Sequence, residues 1–365
     1  MFYKMIQRKR DMWYSSSECT IDELISYIVN KGEMRDVQID AIKTYLYLKI
    51  ACENKPLWEL FSRGYFNNLN VDDLEVKASV REKLQNNPAA LALYEYSTLK
   101  NEKDEQVSEK LEKAIINEID NIDFVDIFKK IFYNVSYTDY LFSLPMGAGK
   151  TYLMAAFIYL DLYFAVNEPD NNAFAHNFII FAPSGLKSSV VPSLKTIKKF
   201  DPLWILPDPA ASDIKRIIKF EILDQNKAEK RSNKTKNPNV QKIAAYQPFD
   251  QLIGLVAITN AEKVILDRVE VRDGQLSLFE DSEDEKDRQA NELRNLIGKI
   301  PNMAIFIDEV HHASTDEIKL RAVVNDWMEK NNTINSVIGF SGTPYLDKAY
   351  PVEITKTLNI KSIEI

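Results

Sequence analysis

This 365-residue sequence predicts an α/β fold: a doubly wound, mostly parallel sheet with an N-terminal helical accessory region. Three observations carry the prediction. From about Tyr137 short apolar runs alternate with helical patterns, the texture of a parallel sheet covered on both faces. One of those runs leads through a glycine-containing turn into an apolar helix, LFSLPMGAGKTYLMAA at Leu141–Ala156. Before residue 135 the periodicity is helical, with few strand signals. A chain of this length carries about two domains, and the change of texture places them at residues 1–135 and 136–365.

In the helical region, Thr20 and Glu23 have the spacing of a capping box opening a helix over 21–30, each side chain satisfying the other's backbone amide. Ile39, Ile42, Leu46 and Ile50 recur at helical spacing, so a second helix runs over 37–53 with Pro56 beyond its end. Segments 72–85, 88–99 and 105–119 continue the pattern, with lysine and glutamate on the exposed side. Candidate strands follow at 139–144, 178–181, 255–258, 303–307 and 336–340, each ending at a chemically suggestive loop. In open α/β sheets, ligands gather beyond the carboxyl ends of the strands. Two stretches break the rhythm: 227–242 is basic and polar, 273–288 is strongly acidic, and both read as mobile surface segments.

Composition excludes the special classes. Hydrophobic residues make up 45% and charged residues 27%, the proportions of an ordinary globular chain. The longest apolar stretch, Tyr152 to Val166, is too short for a bilayer and contains Asp161, so no membrane partner is expected. Two cysteines, Cys19 and Cys52, are too few for a disulfide scaffold, and the N-terminus lacks a signal-peptide core, which points to the cytoplasm. With a net charge of −8, a polyanionic partner has to be met by a local basic surface.

Gly147, Ala148 and Gly149 permit a tight turn that aims successive backbone N–H groups at one point. The helix starting at Lys150 adds the positive end of its dipole, and the result is an anion site. Lys150 is placed to reach the β- and γ-phosphates of a nucleotide, and the Thr151 hydroxyl to hold a bridging Mg²⁺. One residue departs from the strict pattern G-x-x-x-x-G-K-[ST]: Leu144 stands where that pattern has glycine. Asp308 and Glu309 follow the apolar run Met303–Ile307. As a catalytic pair, Asp308 binds Mg²⁺ directly or through water, and Glu309 polarises the water that attacks the γ-phosphate. An acidic pair capping a surface strand is the plain alternative, outweighed by the phosphate loop in the same chain. His311 and His312 are two of only three histidines. With no cysteine nearby they do not suggest a closed zinc site. His311 reads instead as a hydrogen-bonding coupler, with His312 a neighbour.

P-M-G-A-G-K-T at Pro145–Thr151, D-E-V-H-H at Asp308–His312 and S-G-T-P at Ser341–Pro344 together resemble the superfamily 2 helicase-like ATPases of the DEAD/DEAH-box kind. The resemblance is closest to the ATPase (Res) subunit of type III restriction enzymes, and covers its first RecA-like domain. That superfamily does not require the glycine replaced by Leu144. The resemblance implies a P-loop NTPase with ATP and Mg²⁺ as ligands. Arg35 and Gln38, in RDVQ, resemble the R-x-x-Q element that recognises adenine, and a glutamine amide offers the donor and acceptor such a task needs. A polar residue on an amphipathic helix is the alternative. The long separation of Gln38 from Lys150 would make the helical segment between them an insertion.

Phe181–Gly185, FAPSG, resembles the family's second motif, in which Ser184, Lys187 and backbone N–H groups meet nucleic-acid phosphates without reading bases. Thr259 and Asn260 would extend that track, and Ser341 and Thr343 would couple it to the nucleotide. The implied protein is the N-terminal ATP-binding domain of a DNA-dependent ATPase, a translocase or helicase of a restriction or phage-defence system. Its implied partners are double-stranded DNA and methyltransferase or specificity subunits. An RNA helicase stays open, because these motifs touch the backbone. The sequence stops at Ile365, shortly past S-G-T-P, so the second RecA-like domain and its arginine finger are expected beyond it, and this chain alone is expected to hydrolyse ATP weakly. A short nucleotide-binding module without motor activity is the alternative. Gln275, Leu276, Leu278 and Phe279, in Q-L-S-L-F, resemble a sliding-clamp docking peptide; an apolar patch that tucks the acidic insert onto the domain is the alternative that weighs more.

Overall fold

The structure is a computed structural model, and it describes residues 2–101, 104–182, 190–223, 240–261, 264, 290–308, 315–342, 351–355 and 358–361. Eight helices precede the first strand: α1 (Phe2–Tyr14), α2 (Asp22–Lys31), α3 (Asp36–Ile50), α4 (Leu57–Ser62), α5 (Ala78–Asn86), α6 (Pro88–Thr98), α7 (Glu109–Glu118) and α8 (Phe124–Ile131). Strand β1 (Asp139–Ser143), α9 (Lys150–Asn167), β2 (Asn177–Ala182), α10 (Val190–Lys199), α11 (Ala210–Ile217), β3 (Lys219–Ile222), α12 (Val240–Ala244) and β4 (Leu255–Asn260) follow. Then come α13 (residues 290–297), β5 (Met303–Asp308), α14 (Thr315–Asn331), β6 (Ile334–Ser341), β7 (Pro351–Thr355) and β8 (Leu358–Lys361). Among the described residues no helix is long and apolar enough to cross a membrane.

The chain divides into two compact units. One comprises Met1–Glu23, Lys43–Asp139 and Pro344–Ile365; the other comprises Leu24–Ile42 and Tyr140–Thr343. The first is built around α6, in which every residue from Ala89 to Ser97 is buried. Asn87 caps α6 by accepting from the Ala90 amide at 3.0 Å, and Pro88 occupies the first helical position, where a missing N–H costs nothing. Phe2 supplies an aromatic centre, stacked on Tyr96 with ring centroids 4.2 Å apart and meeting Phe61 edge-on at 4.7 Å. Glu95, 1% exposed, is not an uncompensated charge: Arg8 pairs with it at 3.1 Å, and the Asn68 amide donates to it at 2.8 Å. β7 and β8 form an antiparallel hairpin in this unit.

Local chemistry redraws several helices expected from periodicity. The segment expected as one helix over 72–85 is a 3₁₀ turn at Val71–Asp73 followed by α5. Asn70 accepts from the Asp72 amide, and Leu74 is extended (ψ 130°), so a side-chain cap competes with helix propagation. The helix expected over 105–119 starts only at Glu109, where the Ser108 hydroxyl caps it by accepting from the Leu111 amide. α3 ends at Ile50 rather than 53, and Glu53 and Asn54 beyond it take positive φ, 53° and 55°.

The second unit holds a six-stranded parallel sheet in the order β1-β6-β5-β2-β4-β3. All six residues of β2 are buried, as are the first five of β4 and seven of the eight in β6, which is the signature of strands covered on both faces. Helix α9 is buried from Leu153 to Leu162. Asp161 within it is tolerated because its carboxylate accepts from the Ala175 amide at 3.0 Å. Four phenylalanines on neighbouring strands form a ladder across the sheet. Phe142 meets Phe340 at 6.1 Å, Phe340 meets Phe306 at 5.7 Å, and Phe306 meets Phe178 at 5.7 Å. Phe157 of α9 packs on the ladder, 5.1 Å from Phe142 and 6.0 Å from Phe340.

The amino ends of the strands are tied by side-chain amides. Buried Asn177 donates to the Leu252 carbonyl (2.8 Å) and the Pro301 carbonyl (2.9 Å), and accepts from the Leu255 amide (3.2 Å). Asn302 donates to the Phe174 carbonyl at 2.9 Å and accepts from Asn335, which also donates to the Asn172 carbonyl. Gly254 has φ +84°, and a Cβ there would sit 2.5 Å from the Ile217 carbonyl oxygen, so only glycine fits this junction. Asn177→Ala is expected to cost about 1–3 kcal/mol by leaving those buried groups without partners. A lowered denaturant midpoint checks it.

Candidate functional site

The carboxyl ends of β1, β6 and β5 lie side by side, and each carries one part of the site read from the sequence. Directly after β1 the Leu144 amide donates to the Ser341 carbonyl of β6 at 2.9 Å. The loop therefore leaves the sheet pinned to the strand that carries S-G-T-P. The Leu144 side chain is 5% exposed and closes the core at the position where the strict motif has glycine. The bends that need glycine fall later, at Gly147 (φ +76°) and Gly149 (φ +83°). Between them Ala148 is buried, and its amide donates to the Pro145 carbonyl at 3.0 Å.

Gly149 is the N-cap of α9, and its carbonyl accepts from the Tyr152 amide at 3.0 Å and the Leu153 amide at 3.1 Å. Lys150 and Thr151, both half-buried, are thus the first two helical residues. A helix leaves the amides of its first turn without an intrahelical acceptor and gathers positive potential there. A loop of this shape ending in Lys-Thr fits a chain of phosphates.

Arg35 and Gln38 meet this loop although more than a hundred residues precede it. Arg35 Nη1 donates to the Gly147 carbonyl at 2.5 Å, and Gln38 Nε2 donates to the Gly149 carbonyl at 3.1 Å. The spacing of three closes on itself, because the Arg35 amide donates to Gln38 Oε1 at 2.9 Å. One short element at the start of α3 thus holds both glycine bends. A primary amide has two N–H groups and two lone pairs, so Gln38 keeps one of each beyond these bonds.

β5 ends at Asp308, half-buried and in register with Phe340 of β6. Ser341, 2% exposed, lies on the strand between the loop and Asp308. On the other side of β5, the pairings Ile307↔Phe181 and Ala182↔Asn260 continue the same row of residues into β2 and β4. Neighbouring strands lie about 4.8 Å apart, so Asn260 is about 10 Å from Asp308 along this edge. Thr259 is fully buried, whereas Asn260 is half-buried and its Oδ1 finds no hydrogen-bond partner among the described residues. A buried acceptor in that condition fits an incoming donor.

Glu309, His311, His312, Thr343, Ser184 and Lys187 lie outside the described residues, as do Gln275, Leu276, Leu278 and Phe279 and most of the two charged inserts. Among the described residues no group of three His, Cys, Asp or Glu side chains is placed to hold a metal ion unaided. Mg²⁺ needs less from a protein: it keeps several waters and takes phosphate oxygens, so one carboxylate and one hydroxyl are enough. Asp308 and Thr151 are of the right type.

Tyr152 stands beside this loop, with Trp204 stacked on it, and neither belongs to a motif. An aromatic residue directly after G-K-T, at the start of an apolar run, was the available signal in the sequence.

The model of the family described as type III restriction enzyme, res subunit, matches residues 101–346, about two-thirds of the chain. The match includes the phosphate loop, β5 with Asp308 and β6 with Ser341, while Arg35 and Gln38 fall before it. Searches of curated proteins and of solved structures give no match. With the phosphate loop, the parallel sheet and the strand-end acid in place, the chain belongs to the type III restriction enzyme res-subunit family, whose members carry an ATP-binding, helicase-like module.

Proposed function

We propose that this chain is the ATP-binding N-terminal part of a DNA-dependent ATPase that moves along or unwinds duplex DNA in a restriction or phage-defence system. The observation that carries the reading is the row of strand ends β1, β6 and β5, with the phosphate loop hydrogen-bonded to Ser341 and Asp308 one strand further on. In this reading Gly147–Thr151 cradle the phosphates, Lys150 neutralises the β- and γ-oxygens, and Thr151 with Asp308 hold Mg²⁺. The bound metal ion would supply charge neutralisation to the triphosphate. Glu309 orients the attacking water, and Gln38 reads the adenine edge from a position already fixed on the loop.

The adjoining ends of β2 and β4 are assigned to nucleic acid. Asn260, whose Oδ1 has no partner among the described residues, supports that assignment, and Thr259, Ser184 and Lys187 would complete the track. Ser341 stands between the two halves, so with Thr343 and His311 it is the natural coupler. Residues 1–135 are assigned as an accessory region that includes the R-x-x-Q element, with the ATPase domain beginning near residue 136. A second RecA-like domain and methyltransferase or specificity subunits are the partners the family resemblance implies, and the low cysteine content supports a cytoplasmic setting. The Q-L-S-L-F peptide would add a clamp contact.

ATP hydrolysis should be measured, with the second RecA-like domain present, in the absence of nucleic acid and with duplex DNA, single-stranded DNA and RNA. Duplex DNA is expected to stimulate most. Lys150→Ala is expected to reduce stimulated hydrolysis at least tenfold, the order set by loss of one charge-assisted contact. Undiminished DNA-stimulated hydrolysis in that variant would refute the ATPase reading. Stimulation by RNA alone would move the substrate to RNA, and ATP binding without stimulation would leave a nucleotide-binding module.

A further inference from the structure

Tyr152 is 39% exposed, whereas α9 is buried from the next residue through Leu162. Its ring is not loose. It stacks on Trp204 with centroids 5.6 Å apart and planes inclined by 17°. Trp204 is itself braced, with Phe200 edge-on at 5.3 Å. The 3₁₀ turn Pro202–Trp204 that carries it is closed by Asp201, which accepts from the Leu203 amide at 3.1 Å. Tyr27 of α2 donates from its hydroxyl to the Leu203 carbonyl at 2.7 Å. A half-exposed ring therefore stands on a fixed pedestal.

The ring also borders the phosphate loop. A Cβ built on Gly149 would lie 2.6 Å from Gln38 Nε2 and 3.7 Å from Tyr152 Cδ2, so the glutamine amide and the ring edge flank the same point. Gln38 already gives one N–H and one lone pair to the loop and to Arg35. A glutamine amide, whatever it bonds, offers no surface to the face of a base. An aromatic ring supplies that surface, because offset stacking on a planar base gains contact area and electrostatic complementarity in any orientation.

We propose that Tyr152, backed by Trp204, is the stacking platform for the base of the nucleotide whose phosphates occupy Gly147–Thr151. The inference rests on the ATP reading above and adds a base-binding residue to it. The phosphates are gripped by the loop, the base edge meets Gln38, and the base face lies on Tyr152. Tyr152 is a binding residue and touches none of the reacting atoms.

The test separates base from phosphate. MgATP and Mg-tripolyphosphate are titrated by calorimetry into the full chain and its variants. Tyr152→Ala is expected to weaken MgATP about five- to 150-fold, the range of one base–aromatic stack, while tripolyphosphate binding changes less than about twofold. Tyr152→Phe, which keeps the ring, is expected to restore MgATP binding. Lys150→Ala is expected to weaken both ligands. Unchanged MgATP affinity in Tyr152→Ala, or equal weakening of both ligands, overturns the platform alone. Wild-type protein that binds neither ligand overturns the ATP reading and the platform with it.

Discussion

Phe340→Ala is expected to cost the sheet unit about 3–5 kcal/mol, a large share of the ~5–15 kcal/mol that a folded domain has in total. Phe340 is fully buried in β6 and touches three other rings: Phe142 on one neighbouring strand, Phe306 on the other, and Phe157 of α9 above. Removing its ring loses the transfer free energy of a buried aromatic side chain. It also leaves a void where two strands and a helix converge, and neighbours held in register by strand pairing cannot collapse to fill it. Phe340→Leu keeps most of the volume and is expected to cost markedly less. Urea unfolding followed by circular dichroism reads the difference. A midpoint in Phe340→Ala within error of the wild type would mean that the ladder contributes nothing.

Gly149→Ala is expected to damage nucleotide binding far more than Gly147→Ala, although both glycines have positive φ. Each substitution forces an L side chain into the left-handed region, at about 1–2 kcal/mol. At Gly147 no atom of the described residues lies within 4 Å of the new methyl, so the backbone term dominates. At Gly149 the methyl would meet Gln38 Nε2 at 2.6 Å, and the hydrogen bond that ties Gln38 to this same residue's carbonyl has to break. The sum predicts roughly 10- to 400-fold weaker MgATP binding for Gly149→Ala and about five- to 30-fold for Gly147→Ala. The double variant Gln38→Ala/Gly149→Ala removes the clash, so its loss should be smaller than the sum of the single losses. Strict additivity would show that Gln38 and Gly149 do not act on each other.

The parts of the fold that were legible in the sequence are those whose signal is local and chemical. β2, β4, β5 and β6 were each found within two residues of their ends, because buried parallel strands read as short apolar runs. The phosphate loop announced itself through glycines that only a positive φ explains. β3, KFEI, escaped because four residues show no period, and only its pairing with β4 makes it a strand. The break between the 3₁₀ turn at Val71–Asp73 and α5 was hidden for a different reason: the apolar spacing is helical throughout, and a single asparagine cap decides otherwise.

At the site the contrast is between motif and neighbourhood. Lys150, Thr151 and Asp308 are candidates read from short patterns, and β1, β6 and β5, whose carboxyl ends lead to or carry them, are neighbours in the sheet. Gln38 was reachable only through resemblance, since no property of its own helix points to a carbonyl more than a hundred residues away. Tyr152 was missed because its role depends on Trp204, which periodicity cannot bring next to it.

The amide ties at the amino ends of the strands have a mechanical meaning. Asn177, Asn302 and Asn335 join the segments before β2, β4, β5 and β6 through side-chain bonds in addition to the strand ladder. The opposite edge carries the glycine bends of the phosphate loop and an amide oxygen, that of Asn260, with no partner among the described residues. The sheet is therefore cross-braced at the amino ends of these strands, where separating any two of them means breaking side-chain bonds as well as the ladder.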